Sequence, residues 1–444
     1  MHPQMEAEQQ RGMVASTVAP EAKASWSTTL KIAFRFGLSY FVLYCLPYPL
    51  NYLPWEKLTA WYDAMWLKIV PWVGLHLLHL SQPIVSLSNG SGDTPYGYVR
   101  SLCFIAFAAL ITIIWSLLDR KRENYRTLHQ WGRLYLRIFL GSMLLIYGAF
   151  KVIPGQFPPI WQWRYLETFG ESSPMGLLWT FMSASTSYTV FAGSVEMLGG
   201  ILLFVPRLVT LGALISIAAM TNVFIVNMSY DVPVKLFSFH LLLLGIFLTL
   251  PEVQRLARFF VLNRPTEPSV PELHFRSRWL NRGFLIGQIA LGLIFAGYNL
   301  HAANLQFKRF TTEYSAAQLP LHGTWAVDEF TLDGQVRPPL LTDSTRWQKA
   351  IIDTPGGIIV QGMDGKLLRL PGKTDPDKKT LELTRRDDAH WKANLSYAFP
   401  ATGIMTMDGQ INNQRAHITL HQLDGKYLLN TRGFHWINMA PFNR

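Results

Sequence analysis

Cysteine is nearly absent. Two residues in 444, with no CxxC pair, exclude a disulfide framework and leave no basis for a zinc ribbon or dithiol motif. Charge is scarce as well: 16% of residues, against about 25% in an ordinary soluble domain. HExxH, Walker, GxGxxG and GxSxG signatures are all missing, so the common metalloprotease, nucleotide and serine-hydrolase chemistries have no foothold. No metal site is expected; His76 and His79, without a nearby carboxylate, read as one interfacial face. The formal charge of +11 gathers in two loops, which marks orientation in a membrane rather than a nucleic-acid surface.

What the chain has is apolar length. Half of it is hydrophobic, and residues 133–250 hold four long runs: Leu134–Val152, Ser187–Val205, Leu208–Met228 and Val234–Leu250. Each is about 17–21 residues, what a helix needs to cross a ~30 Å hydrocarbon core. Leu30–Leu46, Tyr98–Leu118 and Gly283–Leu300 add three more, making about seven spans. Trp55–Leu80 is apolar but carries Lys57, Asp63, Lys68, Pro71 and four tryptophans, and reads as an interfacial or re-entrant helix pair. Residues 1–29 lack a signal-peptide cleavage pattern and read as a disordered tail.

Basic loops orient these spans. Asp119–Arg133 has five Lys/Arg against two acids, and Pro251–Arg282 has six against three. With both loops inside, every other connection obeys the positive-inside rule and the C-terminal domain lies outside. The resulting domains are a tail (1–29), an N-terminal membrane segment with interfacial helices (30–118), a four-helix unit (133–250), a cytoplasmic loop (251–282), a last span (283–300) and a β-rich domain (319–444). In that last domain, Asp-Gly pairs at Asp333, Asp364, Asp408 and Asp424 sit near apolar or alternating stretches. Examples are Gly357–Met363 followed by Lys366–Leu370, and Arg415–Leu423 followed by Lys426–Asn430. Eight to ten strands in a barrel or sandwich are expected, and Gly323-Thr324-Trp325 is similar to the opening of calycin-type barrels.

The membrane runs carry polar residues where lipid penalises them. Arg137, Gly141, Leu144, Gly148 and Lys151 form one helical stripe, and Gly193, Glu196 and Gly200 another. A carboxylate as deep as Glu196 needs a partner or a proton. Depth places Arg137 within reach, so an Arg137–Glu196 ion pair is expected, serving either to lock helices or to line a polar cavity. Arg35, near a helix start, is expected to snorkel. Toward the outer leaflet lie Lys151, Gln156, Asn222, Asn227, Asp231, Lys235 and His240, as helix–helix glue or ligand contacts. Asp231 and Pro233 read as the start of the following helix, with Asp231 capping. Cys45 and Cys103 fall at similar depths, as redox candidates or as small apolar residues.

Several of these residues resemble the DoxX-like family of bacterial membrane proteins. The matching pieces are Arg137 with Gly148-Ala-Phe-Lys151, Glu196-Met-Leu-Gly199-Gly200 and Gly212, about a quarter of the chain. Asn227–Lys235 and Arg432–Asn438 are similar to a large-subtype relative with the same C-terminal extension. The resemblance implies a four-helix membrane unit and, for function, a redox-linked component holding a quinone-like ligand near Lys151, Glu196, Asn222, Lys235 and His240. Two alternatives stand beside it. One is a non-catalytic envelope protein of the inner membrane whose helices anchor an extracytoplasmic β-domain that binds a ligand or a membrane or periplasmic partner. The other is a proton-coupled carrier using Glu196.

Overall fold

A computed structural model describes residues 25–50, 56–86, 90–269, 273–313, 321–353 and 356–443. Most of the expected N-terminal tail therefore lies outside the described residues, as does Trp55.

The helices are α1 (Thr28–Cys45), α2 (Glu56–His76), α3 (Pro95–Leu118), α4 (Arg126–Val152), α5 (Pro174–Ala184), α6 (Thr186–Phe204), α7 (Val209–Ser229), α8 (Lys235–Thr249), α9 (Val253–Phe260) and α10 (Arg278–Glu313). Short polar side chains start several of them. Ser27 accepts from Leu30 N at 3.2 Å, and Thr94 accepts from Gly97 N at 3.2 Å ahead of Pro95. Among the described residues, six helices are long and apolar enough to cross a membrane: α3, α4, α6, α7 with its preceding turn, α8 running on through α9, and α10. The chain is a multi-pass helical membrane protein with a C-terminal β-domain. The 18-residue α1, with Lys31 and Arg35, is not among the six.

Three boundaries differ from expectation. Residues 56–76 form one helix through Pro71 rather than a pair. Helix α4 begins at Arg126, inside the basic loop. Helix α10 continues to Glu313, with no proline to stop it after Leu300.

The described chain divides into two units, and α4, α6, α7 and α10 contribute one end to each. In the first unit (residues 1–143, 199–224 and 233–291), Tyr62, Trp66 and Val70 of α2 pack on Val99, Cys103 and Phe104 of α3. Phe34 and Leu38 of α1 pack with Tyr125, against Trp115. Helices α4 and α6 touch at Gly141, where a Cβ would meet Phe204 at 2.8 Å and the Gly200 carbonyl at 3.1 Å.

The second unit (residues 144–198, 225–232 and 292–444) holds the rest of that helix contact and the β-domain. Its strands are β1 (Gly323–Leu332), β2 (Gln335–Val336), β3 (Trp347–Ile352), β4 (Gly357–Gly362), β5 (Leu367–Asp375), β6 (Thr380–Thr384), β7 (Lys392–Ala401), β8 (Ile404–Ile411) and β9 (Gln414–Gln422). All pair antiparallel in chain order, and β9 returns to β1, so eight strands close a barrel with β2 as a short flap. Period-two alternation sends Met405 and Met407 inward on β8, and Ala416, Ile418 and Leu420 inward on β9. With Trp325, Phe330, Trp347 and Tyr397 they fill the interior.

Asp333-Gly334 and Asp364-Gly365 lie between strands, as expected, with positive φ at both glycines. The other two Asp-Gly pairs do not make hairpins. Asp408-Gly409 sits inside β8, and Asn412-Asn413 instead turns β8 into β9. Lys426–Asn430 is not a strand: α11 (Leu428–Thr431) forms there, because both edges of β9 are already taken by β8 and β1.

Candidate functional site

Glu196 is paired, but with Lys151 rather than Arg137. In the second unit α4 and α6 meet backbone to backbone: a Cβ on Gly193 would stand 2.6 Å from Lys151 Cβ and 2.7 Å from the Gly148 carbonyl. That approach delivers the Lys151 ammonium to Glu196 Oε1, with both residues buried. Glu196 Oε2 is buried with no hydrogen-bond partner among the described residues. Lys151 stands fourteen residues beyond Arg137 on the same helix, about 21 Å of rise at ~1.5 Å per residue. The expectation misjudged register: Gly148 and Gly193, already singled out as close-approach residues, place Lys151 beside Glu196. Arg137, also buried, hydrogen-bonds the Gln288 side chain of α10.

His240 of α8 has both ring nitrogens engaged. Nδ1 lies 2.7 Å from the Leu236 carbonyl, which only accepts, so Nδ1 carries the proton and Nε2 accepts from Tyr40 Oη at 2.6 Å. The Tyr44 ring stacks on it at 4.0 Å, with 2° between planes. This ring ties α1 to α8 and leaves no nitrogen for a ligand. Lys235 Nζ lies 3.8 Å from Asp93 Oδ2. Asp93 also accepts from the backbone N–H groups of Lys235 (2.8 Å) and Leu236 (2.9 Å), capping α8 from a distant loop. Asp231, the expected cap, instead adopts a left-handed turn with φ of 51°, and Pro233 precedes the helix. Asn227 is buried, whereas Asn222 faces outward.

Arg35 does not snorkel. It is buried and donates to Tyr125 Oη at 2.6 Å, Ser116 Oγ at 2.7 Å and the Asp119 carbonyl at 3.0 Å. Tyr125 Oη in turn donates to Asp119 Oδ2 at 2.9 Å. The signal for this network was available, since an arginine within an apolar run needs acceptors. Cys45 and Cys103 are buried and free. Cys103 borders an apolar cleft of about 680 Å³ between α2 and α3, also lined by Trp72, Leu102 and Phe107, with the exposed Lys68 in its wall.

In the second unit, the segment after α4 clasps the barrel. Trp163 N donates to Asp353 Oδ2 at 3.3 Å. Two guanidinium groups lie over the Trp163 ring, Arg164 at 4.2 Å and Arg369 at 4.3 Å from its centroid. Tyr165 stacks on Tyr427 at 4.6 Å with 3° between planes. Burial pushes the Asp353 carboxyl above its usual range, opposed by the Trp163 N–H and by His322.

Fold and pairings together define a membrane-spanning helical region carrying a closed β-barrel. No protein-family model matches the chain, and no solved structure matches it. It is similar to an uncharacterized protein, YwoB, of Bacillus subtilis (strain 168), 32% identical over 108 residues, or 22% of this chain. The match spans 62% of that relative, so the chain covers less than two thirds of its length.

Proposed function

We propose that this is a non-catalytic envelope protein of a bacterial cytoplasmic membrane, whose helices hold the barrel outside the bilayer toward a protein partner. The observation that carries this reading is the Trp163 clasp: the barrel is fixed to the segment following a spanning helix instead of merely following the last one. The filled barrel interior supports a role for its outer surface and loops. The deep polar residues Lys151 and Glu196, His240 and Tyr40, and Arg137 and Gln288 are matched to one another, as architectural groups are. The Asp119–Tyr125 connection carries three basic residues against two acids, the balance expected of a cytoplasmic loop.

Labelling tests the arrangement. With both native cysteines buried, Lys366→Cys on a barrel hairpin reacts with a membrane-impermeant maleimide in intact cells, whereas Arg122→Cys reacts only after permeabilisation. The reverse pattern overturns it.

A redox-linked component of the DoxX-like type is the second reading, favoured by the apolar cleft beside Cys103. Solvent extraction of the purified protein separates the two. Quinone at one equivalent, lost when the cleft-lining Ala106 is replaced (Ala106→Trp), supports the redox reading; quinone at the level of bulk lipid supports the anchor.

A further inference from the structure

Three arginines from different elements of the first unit converge on one pocket. Arg133, two turns into α4, Arg207 in the turn before α7 and Arg255 of α9 line a cavity of about 340 Å³, with Thr210 and Glu252 in its wall. Glu252 is buried and bonds Arg255 at 3.0 Å. Three guanidinium groups against one carboxylate leave an excess of about two positive charges. Arg133 donates to the Leu248 carbonyl at 3.2 Å, whereas Arg207 is exposed and has no acceptor among the described residues. The first turn of the 21-residue α7 also opens here, adding the positive end of a helix dipole and the Thr210 hydroxyl.

The pocket's other edge is apolar. Helix α9, Val-Gln-Arg-Leu-Ala-Arg-Phe-Phe, ends in Phe259 and Phe260, which are 61% and 70% exposed and border the same cavity. Val261 and Leu262 continue this exposed run. Aromatic and aliphatic side chains beside basic ones, at the end of spanning helices, are suited to the boundary between headgroups and acyl chains.

The geometry points to a binding site for the phosphate group of an anionic lipid, with the guanidinium groups on the phosphate and the acyl chains running past Phe259 and Phe260. Arginine suits this task because its planar fork meets two phosphate oxygens at once. The cavity takes a headgroup, and the exposed aromatic edge is what a free anion would not use.

The test uses full-length protein in an uncharged detergent, read by thermal unfolding and native mass spectrometry. Phosphatidylglycerol, phosphatidylcholine and inorganic phosphate are titrated separately. Phosphatidylglycerol raises Tm and survives as a bound adduct, whereas phosphatidylcholine does neither. Arg207→Glu weakens the phosphatidylglycerol response on the order of tenfold. Its lipid-free Tm stays unchanged, because Arg207 holds nothing in place. Phe259→Ser with Phe260→Ser weakens the lipid response without creating one to phosphate. Equal responses to the two lipids, or wild-type binding by Arg207→Glu, overturn the proposal. Protection by inorganic phosphate in place of lipid overturns the lipid as the source of the anion.

Discussion

Lys151 and Glu196 form an ion pair across a contact that only glycine permits. Gly148 and Gly193 let the α4 and α6 backbones approach until the two side chains meet within the protein. A buried pair is weak evidence of net stabilisation, but breaking one leaves an uncompensated charge. Glu196→Gln and Lys151→Met should each cost about 3–5 kcal/mol. Thermal unfolding in detergent checks this. The double variant should recover part of the loss, and strictly additive losses would show that the two groups do not interact.

Gly193→Ala tests the approach itself. The added methyl would stand 2.6 Å from Lys151 Cβ, so the helices must separate. Overpacking of this kind costs roughly 1–3 kcal/mol. The outcome is a lowered Tm and a smaller loss on subsequent Glu196→Gln, because the pair is already loosened.

Asp93→Ala removes the distant cap of α8. Two backbone N–H groups lose their acceptor, and a cost of about 1–2 kcal/mol is expected. Asp93→Asn should recover only part of it, since its one amide oxygen replaces one of the two carboxylate acceptors and its NH2 cannot accept from the other N–H. A Tm unmoved by Asp93→Ala would show that the loop does not hold the helix start.

Trp163→Ala should loosen the barrel without unfolding it. Two cation–π contacts of about 0.5–1 kcal/mol each disappear, so limited proteolysis should release the β-domain roughly fivefold to thirtyfold faster. Trp163→Phe keeps an aromatic face for Arg164 and Arg369, and its release rate should fall between those of wild type and Trp163→Ala. Identical release rates would remove the clasp as the fixing contact.

Asp353 gives the barrel a pH signature. Its folded pKa lies above the unfolded value, so the folded state binds the proton more tightly. Its contribution to stability is full below the unfolded pKa, near 3.9, and declines as pH rises toward the folded pKa. Asp353→Asn keeps an acceptor for Trp163 N–H and does not titrate. The Tm difference, variant minus wild type, should therefore grow with rising pH across the acid range. A pH-independent difference would count against burial as the cause.

Much of the helical organisation was legible because each segment answers to the bilayer alone. Runs such as Tyr98–Leu118 and Leu208–Met228 are long and apolar enough by themselves. Arg35 misled because the snorkelling rule considers one helix, whereas Tyr125, Ser116 and the Asp119 carbonyl come from other segments. Asp-Gly signals worked at Asp333 and Asp364, where the turn is local. They failed at Asp424, where barrel closure had already filled both edges of β9.

Length and hydropathy were enough to determine that this chain crosses a membrane several times and ends in β-structure, since lipid thickness and backbone hydrogen bonding act on every segment separately. The tertiary structure decided which groups meet. Lys151 reaches Glu196 across 45 residues, Asp93 caps α8 across 142, and β9 closes on β1. Such pairings follow from how closely helices approach and how strands come into register, and neither is written into any one segment.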